Sequence, residues 1–359
     1  MEHKYNLIRE VNMEVSYFLG ANTAAGFRSL YGGFCRGAGD YLRIVKGGPG
    51  TGKSGFMRAV GREAARRGYD VEFVRCSGDP GSLDGLYIPA LGLGWVDGTA
   101  PHVAEPGVFG ADSDYVNLGE FCRTPLCPAD AARAAALNAA YKERYGRAYA
   151  LLAAGEKLET ALTPPPCGGN EAERAEAVLR ALVDRIAPPR DREGTLSRRF
   201  GGAVSCEGLV RDESLFASCR LLYVCEDGCG LASRALAAAA DEALLRGQRV
   251  IELLSPFDGG TTDGVLLPEL SAAFVRTAPQ QGSHKKVALD RLCGSLDEIK
   301  ERRRALRAAR RERARCTEAA CAVLAEAKAL HDELERVYRP YMDFPSLDER
   351  IAKELARIF

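Results

Sequence analysis

Short apolar runs and Ala-rich amphipathic stretches alternate along the chain, and the alternation is played through twice. The first round opens on YLRIVK at 41–46, a run of the length and composition of a buried strand. A loop follows, then an Ala-rich helix over about 54–67, closed by Gly68 at a typical C-cap position. DVEFVRC at 70–76 predicts a second strand; a turn-rich stretch and a third apolar run, LGLGWV at 91–96, complete the unit. The second round has RLLYVC at 220–225, a helix over about 233–246 closed by Gly247, RVIELLS at 249–255 and LSAAFV at 270–275. Residues 44–91 align without a gap onto 223–270, with about 14 of 48 positions identical; composition alone gives roughly four or five. Gly68, Val71, Asp79, Gly81, Asp84, Gly85, Pro89 and Leu91 recur as Gly247, Val250, Asp258, Gly260, Asp263, Gly264, Pro268 and Leu270.

Strands that alternate with helices imply parallel pairing, right-handed crossovers and a sheet covered on both faces. Helical composition returns after each core, at 128–160 and at 295–338. TPPPCGG at 163–169 and APPRDREG at 187–194 bracket a short helix at 170–186 and set a boundary near residue 190. The expected organisation is therefore one unit over 1–189 and a second over 190–359.

The loop after the first strand is Gly47-Gly48-Pro49-Gly50-Thr51-Gly52-Lys53-Ser54, followed by Gly55, and fits G-x-x-x-x-G-K-[ST] in full. Glycines let the backbone wrap a phosphate with successive N–H groups turned inward. Lys53 brings a mobile positive charge to the β- and γ-phosphates, the Ser54 hydroxyl suits Mg²⁺, and the helix that starts there directs its positive end at the anion. The predicted strand before the loop and helix after it supply the context that the pattern requires. The expected class is α/β: two tandem P-loop NTPase-like domains, each a mainly parallel sheet flanked by helices, with helical insertions.

The second copy reads Glu226-Asp227-Gly228-Cys229-Gly230-Leu231-Ala232-Ser233 at the matching positions. Ala232 replaces the lysine, and two carboxylates open the loop where a phosphate would sit, which is repulsive. Weak or absent nucleotide binding is expected there, so the second unit serves as an internal control. Asp97, at the end of LGLGWV, aligns with Arg276 and is lost together with the lysine; an Asp so placed is where a Walker B carboxylate holds the Mg²⁺ shell. His102, in the same lost stretch, is a candidate for sensing the γ-phosphate or positioning water, against a loop histidine bonded to backbone. Asp79 and Asp84 are kept in both copies, which favours a turn-stabilising role over an acceptor-binding one.

Net charge is zero, with 49 basic and 49 acidic residues, which argues against a surface built mainly for nucleic acid. Residues 300–315, KERRRALRAARRERAR, nevertheless carry nine positive charges and two negative ones. A solvated helix balanced by acids elsewhere is the favoured reading; a nucleic-acid or anionic-membrane contact and an arginine delivered in trans to the first loop are the alternatives. No aromatic residue interleaves the arginines, so base stacking has no support. The twelve cysteines include no Cys-x-x-Cys pair, and the four histidines have no zinc-type spacing. MEHKYNLIREV lacks the cationic start and apolar run of a signal peptide, and no apolar stretch approaches the ~18 residues of a membrane span. A reduced, cytoplasmic setting is expected.

GGPGTGKS, SLDGLYIPAL and VDGTAPHVAEPGVFGADSDYVNLGEF, with AKALHDELERVYRPYMDF near the end, resemble an uncharacterised bacterial family of tandem P-loop proteins described as ATPases without an established substrate. The resemblance spans nearly the whole chain and implies Mg-ATP use, with Lys53, Ser54 and the Asp97–His102 loop at the site. The second loop departs from the family pattern, in which an intact copy is expected. An ATPase or ATP-dependent switch with one competent site leads; ATP is favoured over GTP because no Asn/Thr-Lys-x-Asp segment follows the first loop. The alternatives are a small-molecule or nucleotide kinase, with 128–160 as a lid and Arg144 or Arg147 on phosphates, and an ATP-gated binding module. The acceptor or protein partner is not legible.

Overall fold

The computed structural model describes residues 13–165 and 170–359. MEHKYNLIREV, with His3, and the 166–169 part of TPPPCGG, with Cys167, lie outside the described residues. The first half runs β1 (Glu14–Phe18), β2 (Gly20–Thr23), β3 (Gly26–Ser29), β4 (Tyr41–Lys46), α1 (Lys53–Arg66), β5 (Val71–Arg75), β6 (Leu83–Ile88), β7 (Leu93–Asp97), β8 (Ser113–Asn117), α2 (Pro128–Leu162) and α3 (Glu171–Ile186). The second half repeats the order as β9 (Thr195–Phe200), β10 (Gly202–Ser205), β11 (Gly208–Arg211), β12 (Leu221–Cys225), α4 (Ala232–Leu245), β13 (Arg249–Leu254), β14 (Thr262–Leu267), β15 (Ala272–Val275), β16 (Lys285–Val287), α5 (Leu296–Tyr338) and α6 (Phe344–Ile358). No helix among the described residues is long and apolar enough to cross a membrane.

The fold is mixed α/β: a 12-stranded sheet in the order β16-β12-β15-β14-β13-β9-β1-β5-β6-β7-β4-β8, flanked by helices. Read inward from either edge, the two halves list corresponding strands in the same order. Within each half the strands run parallel except β6 and β14, which oppose both neighbours. Those two strands occupy stretches that sequence reasoning read as turns, because Asp84-Gly85 and Asp263-Gly264 interrupt the apolar pattern. The halves meet where Phe18 of β1 pairs antiparallel with Phe200 of β9. Buried beside that seam, Arg199 donates to Glu72 at 2.9 Å and lies 3.9 Å over the Tyr17 ring, whose hydroxyl donates to the same carboxylate at 2.8 Å.

Strand register corrects the gap-free repeat. Tyr41 pairs with Leu93, and Leu221 pairs with Ala272. Leu93 and Ala272 are equivalent at an offset of 179, so Tyr41 and Leu221 are equivalent at 180, and the loop before α4 is one residue shorter than the loop before α1. The faces agree: Leu42, Ile44 and Leu222 enter one shared core with Val224 against it, which a one-residue slip would reverse. Gly50 and Gly230, both left-handed, become counterparts, and Asp227 stands opposite Gly47.

That shared core lies on one face of the sheet and crosses both halves. On the other face, α1 of the first half packs with α6, and α4 of the second half packs with α3. α6 and α3 thus each cover the half to which they do not belong in chain order. Arg43 of β4, buried, pairs with the buried Glu354 of α6 and with Asp114 at 2.9 Å, fixing α6 to the first half. The long helices α2 and α5 lie antiparallel. Ala134 meets Leu334 and Val337 at one end, and Ala148 and Leu152 meet Ala320 and Leu324 further along. A Cβ at Gly155 would come 2.8 Å from Cys316 Cβ, so glycine there permits the close approach. Ser295 and Glu298 form a reciprocal capping box that starts α5, which at 43 residues is about 65 Å long.

Candidate phosphate-binding site

Parallel neighbours deliver three strand ends to one place. β4 runs into Gly47, β7 ends beside it at Asp97, and β8 ends on its other side at Asn117. Gly50 and Gly52 hold φ of 71° and 84°, values that disfavour any side chain. A Cβ at Gly50 would come 3.3 Å from the Glu335 carbonyl oxygen of α5, and one at Gly52 would come 2.9 Å from Leu347 Cδ2 of α6. These two glycines therefore serve both the turn and the approach of two helices. Gly48 and Gly55, in contrast, face open space. Gly52 is the N-cap of α1, and no side chain caps that end. The first amide groups of α1, with the positive end of its dipole, form the donor set that an anion needs.

Lys53 lies folded across the loop, its Nζ donating to Gly47 O at 2.8 Å and Gly48 O at 3.0 Å and standing 3.7 Å from Asp97 Oδ2. Thr51 Oγ1 donates to Gly48 O at 2.9 Å, and Pro49 sits between the two glycines of the same turn. Asp97 Oδ1 accepts from the Thr99 amide at 2.9 Å and its hydroxyl at 2.6 Å, which leaves Oδ2 for the lysine side. Ser54 Oγ accepts from the Leu83 amide at 2.9 Å; one lone pair is spent, and a metal would take the other. Lys46 ties the following loop down, donating at 2.9 Å to Gly98 O, Ala104 O and Glu105.

His102 turns away from solvent. Its ring lies 5.1 Å from Phe27 and 4.7 Å from Tyr31, and Nε2 is 3.1 Å from the buried carboxylate of Asp84. Tyr31 OH donates to the same carboxylate oxygen at 3.1 Å. Burial alone would lower the imidazole pKa, but Asp84, with Asp97 beyond it, outweighs burial and raises it. Nδ1 is buried with no hydrogen-bond partner. The sequence set Asp84 aside because it recurs as Asp263; what changes between the copies is the partner. Asp263 meets Arg276 at 2.6 Å where Asp84 meets His102.

The second loop is filled by its own side chains. Asp227 Oδ1 accepts from the Ala232 amide at 3.1 Å, at the first residue of α4, where the first loop leaves donors open. The Asp227 carboxylate also pairs with Arg310, and Arg276 is 3.9 Å away. Asp290 accepts from the Cys229 amide at 2.9 Å and from Arg303 at 2.7 Å, and Arg302 donates to Cys229 O at 2.9 Å. The basic segment 300–315 therefore packs against the second loop, and Arg313 pairs with Glu159 of α2 at 2.6 Å. Arg144 donates to Glu326 of α5 at 2.8 Å, Arg147 is exposed, and α2 runs along α5. Comparison of the chain with family models, with curated proteins and with solved structures found no match.

Proposed function

We propose that this chain is a tandem P-loop NTPase-like protein that binds Mg-ATP at the Gly47–Ser54 loop and hydrolyses it, or uses it as a switch, with the second half lacking a competent loop. One observation carries the reading: an uncapped helix N-terminus behind a glycine turn, with Lys53 lying 3.7 Å from a strand-end carboxylate, Asp97. Amides of the loop and of the first turn of α1 would hold the phosphates, and Gly48 and Gly55 leave that side clear. Lys53 would exchange two loop carbonyls for phosphate oxygens and stabilise charge on the transferred group. Ser54 and Asp97 are the residues that would hold Mg²⁺, which neutralises charge between the β- and γ-phosphates when bound. His102, tied to Asp84, acts by positioning the Asp97–His102 loop.

Phosphate release from Mg-ATP with no other substrate, in wild type and Lys53→Ala, tests this. Turnover in wild type that is lost in the variant upholds hydrolysis. Binding without turnover overturns hydrolysis and points to a switch or to an acceptor-dependent kinase; no binding by either protein overturns the whole reading. Trp95, fully buried two residues before Asp97, reports binding in the same samples.

A further inference from the structure

A cavity of about 700 Å³ opens beside the filled second loop, between α5, the β10–β11 hairpin and the Arg276 end of β15. Four guanidinium groups line it: Arg211, Arg276, Arg310 and Arg313. Leu209 and Phe257 supply an apolar wall, and Arg313 lies 4.0 Å over the Phe257 ring. Three of the arginines have carboxylate partners, Arg276 in Asp263 at 2.6 Å, Arg310 in Asp227 and Arg313 in Glu159 at 2.6 Å, and Asp227 lines the cavity together with Glu318. These contacts engage only part of what a guanidinium offers, since each carries five N–H donors in a planar fork suited to phosphate. Arg211 is exposed at the rim. Burial, and then the neighbouring Arg276 and Arg310, hold the Arg313 pKa below its ordinary value, against the pull of Glu159. The volume falls within the roughly 300–1,000 Å³ of small-molecule sites.

We propose that this cavity is a second ligand site, separate from the first loop, which takes an organic phosphate. Its phosphoryl group is gripped by Arg211, Arg276, Arg310 and Arg313, and its apolar part lies against Leu209 and Phe257. The ligand does not enter the second loop, where Asp227 already satisfies the α4 amide; it binds on the arginine side of that carboxylate. The site does not depend on nucleotide chemistry at the first loop.

The test uses the full chain carrying Lys53→Ala, so that the first loop contributes little, with AMP and inorganic phosphate titrated by calorimetry. AMP is expected to bind at least tenfold more tightly than inorganic phosphate. Arg211→Gln removes a rim cation, and Leu209→Trp crowds the apolar wall; both positions are exposed, so folding is retained, as circular dichroism would verify. Each variant is expected to weaken AMP about tenfold. AMP binding that is absent, no tighter than inorganic phosphate, or unchanged in either variant overturns the proposal.

Discussion

At the first loop, the amide end of α1 has no side-chain cap and a lysine lies across the turn; at the second, Asp227 sits on the amide end of α4 and Arg310 from α5 sits on Asp227. Both copies keep the strand, the left-handed glycine (Gly50 or Gly230) and the helix. They differ in whether the chain supplies an anion of its own. The second half carries its own carboxylate at the helix end that the first half leaves uncapped, and Arg310 is turned to hold that carboxylate. A degenerate loop of this kind is stabilised as it stands, because an amide cluster at a helix N-terminus is satisfied equally by an external anion or an internal one.

The contrast can be broken at four points. Lys53→Ala is expected to have the largest effect, about 10²–10³-fold on phosphate release, the range for removal of one donor to the developing charge. Gly48→Asp puts a carboxylate into the first loop one position beyond Gly47, the counterpart of Asp227. Since a Cβ there meets open space, the thermal midpoint should hold while ATP affinity, followed by Trp95 fluorescence, falls about 100-fold or more. Asp227→Ala leaves Arg310 and the α4 amide without their anion. Removing one partner of a buried pair costs about 3–5 kcal/mol; with Arg310 about a third exposed, about 2 kcal/mol is expected in urea unfolding. It should not restore ATP binding, because Ala232 still stands in place of the lysine.

The smallest effect concerns His102. Its pKa is raised above 6.5 in the folded chain, so the stabilisation from its pairing with Asp84 is complete below about 6.5 and is lost as pH rises through the higher folded value. Unfolding free energy of wild type relative to His102→Gln should therefore decline across that window. A difference that is flat with pH would show that the pair does not titrate there.

Apolar periodicity located β4, β5, β7 and their counterparts, and the glycine C-caps located the ends of α1 and α4, because these signals are local. The missing residue in the second loop was invisible to a gap-free comparison; only the pairing of Leu221 with Ala272 exposes it. The stretches β1–β3 and β9–β11 repeat Phe18, Gly20, Ala21 and Gly26 as Phe200, Gly202, Ala203 and Gly208, but at an offset of 182, outside the aligned block. At the candidate site, the motif marked Lys53 and Ser54, comparison of the two copies added Asp97, and the structure brings Lys53 to Asp97. The Asp84–His102 pairing was not legible, since the two residues approach only when β6 and the 98–105 loop pack. The basic segment likewise finds acids at Asp227 and Glu159, far away in sequence, and at the nearer Asp290.

The crossing of α3 and α6 gives the two halves a shared fate. The core around α1 is closed by Leu347, Ile351 and Leu355 from the end of the chain, while the core around α4 is closed by Ala175, Leu179 and Val183 from a helix made before β9 exists. A cut in the 187–194 connection would leave two pieces each carrying the other's lid, so the pieces should stay associated until both melt. Neither half can open its core alone, and loss of order in one is expected to appear as a single transition of the whole molecule.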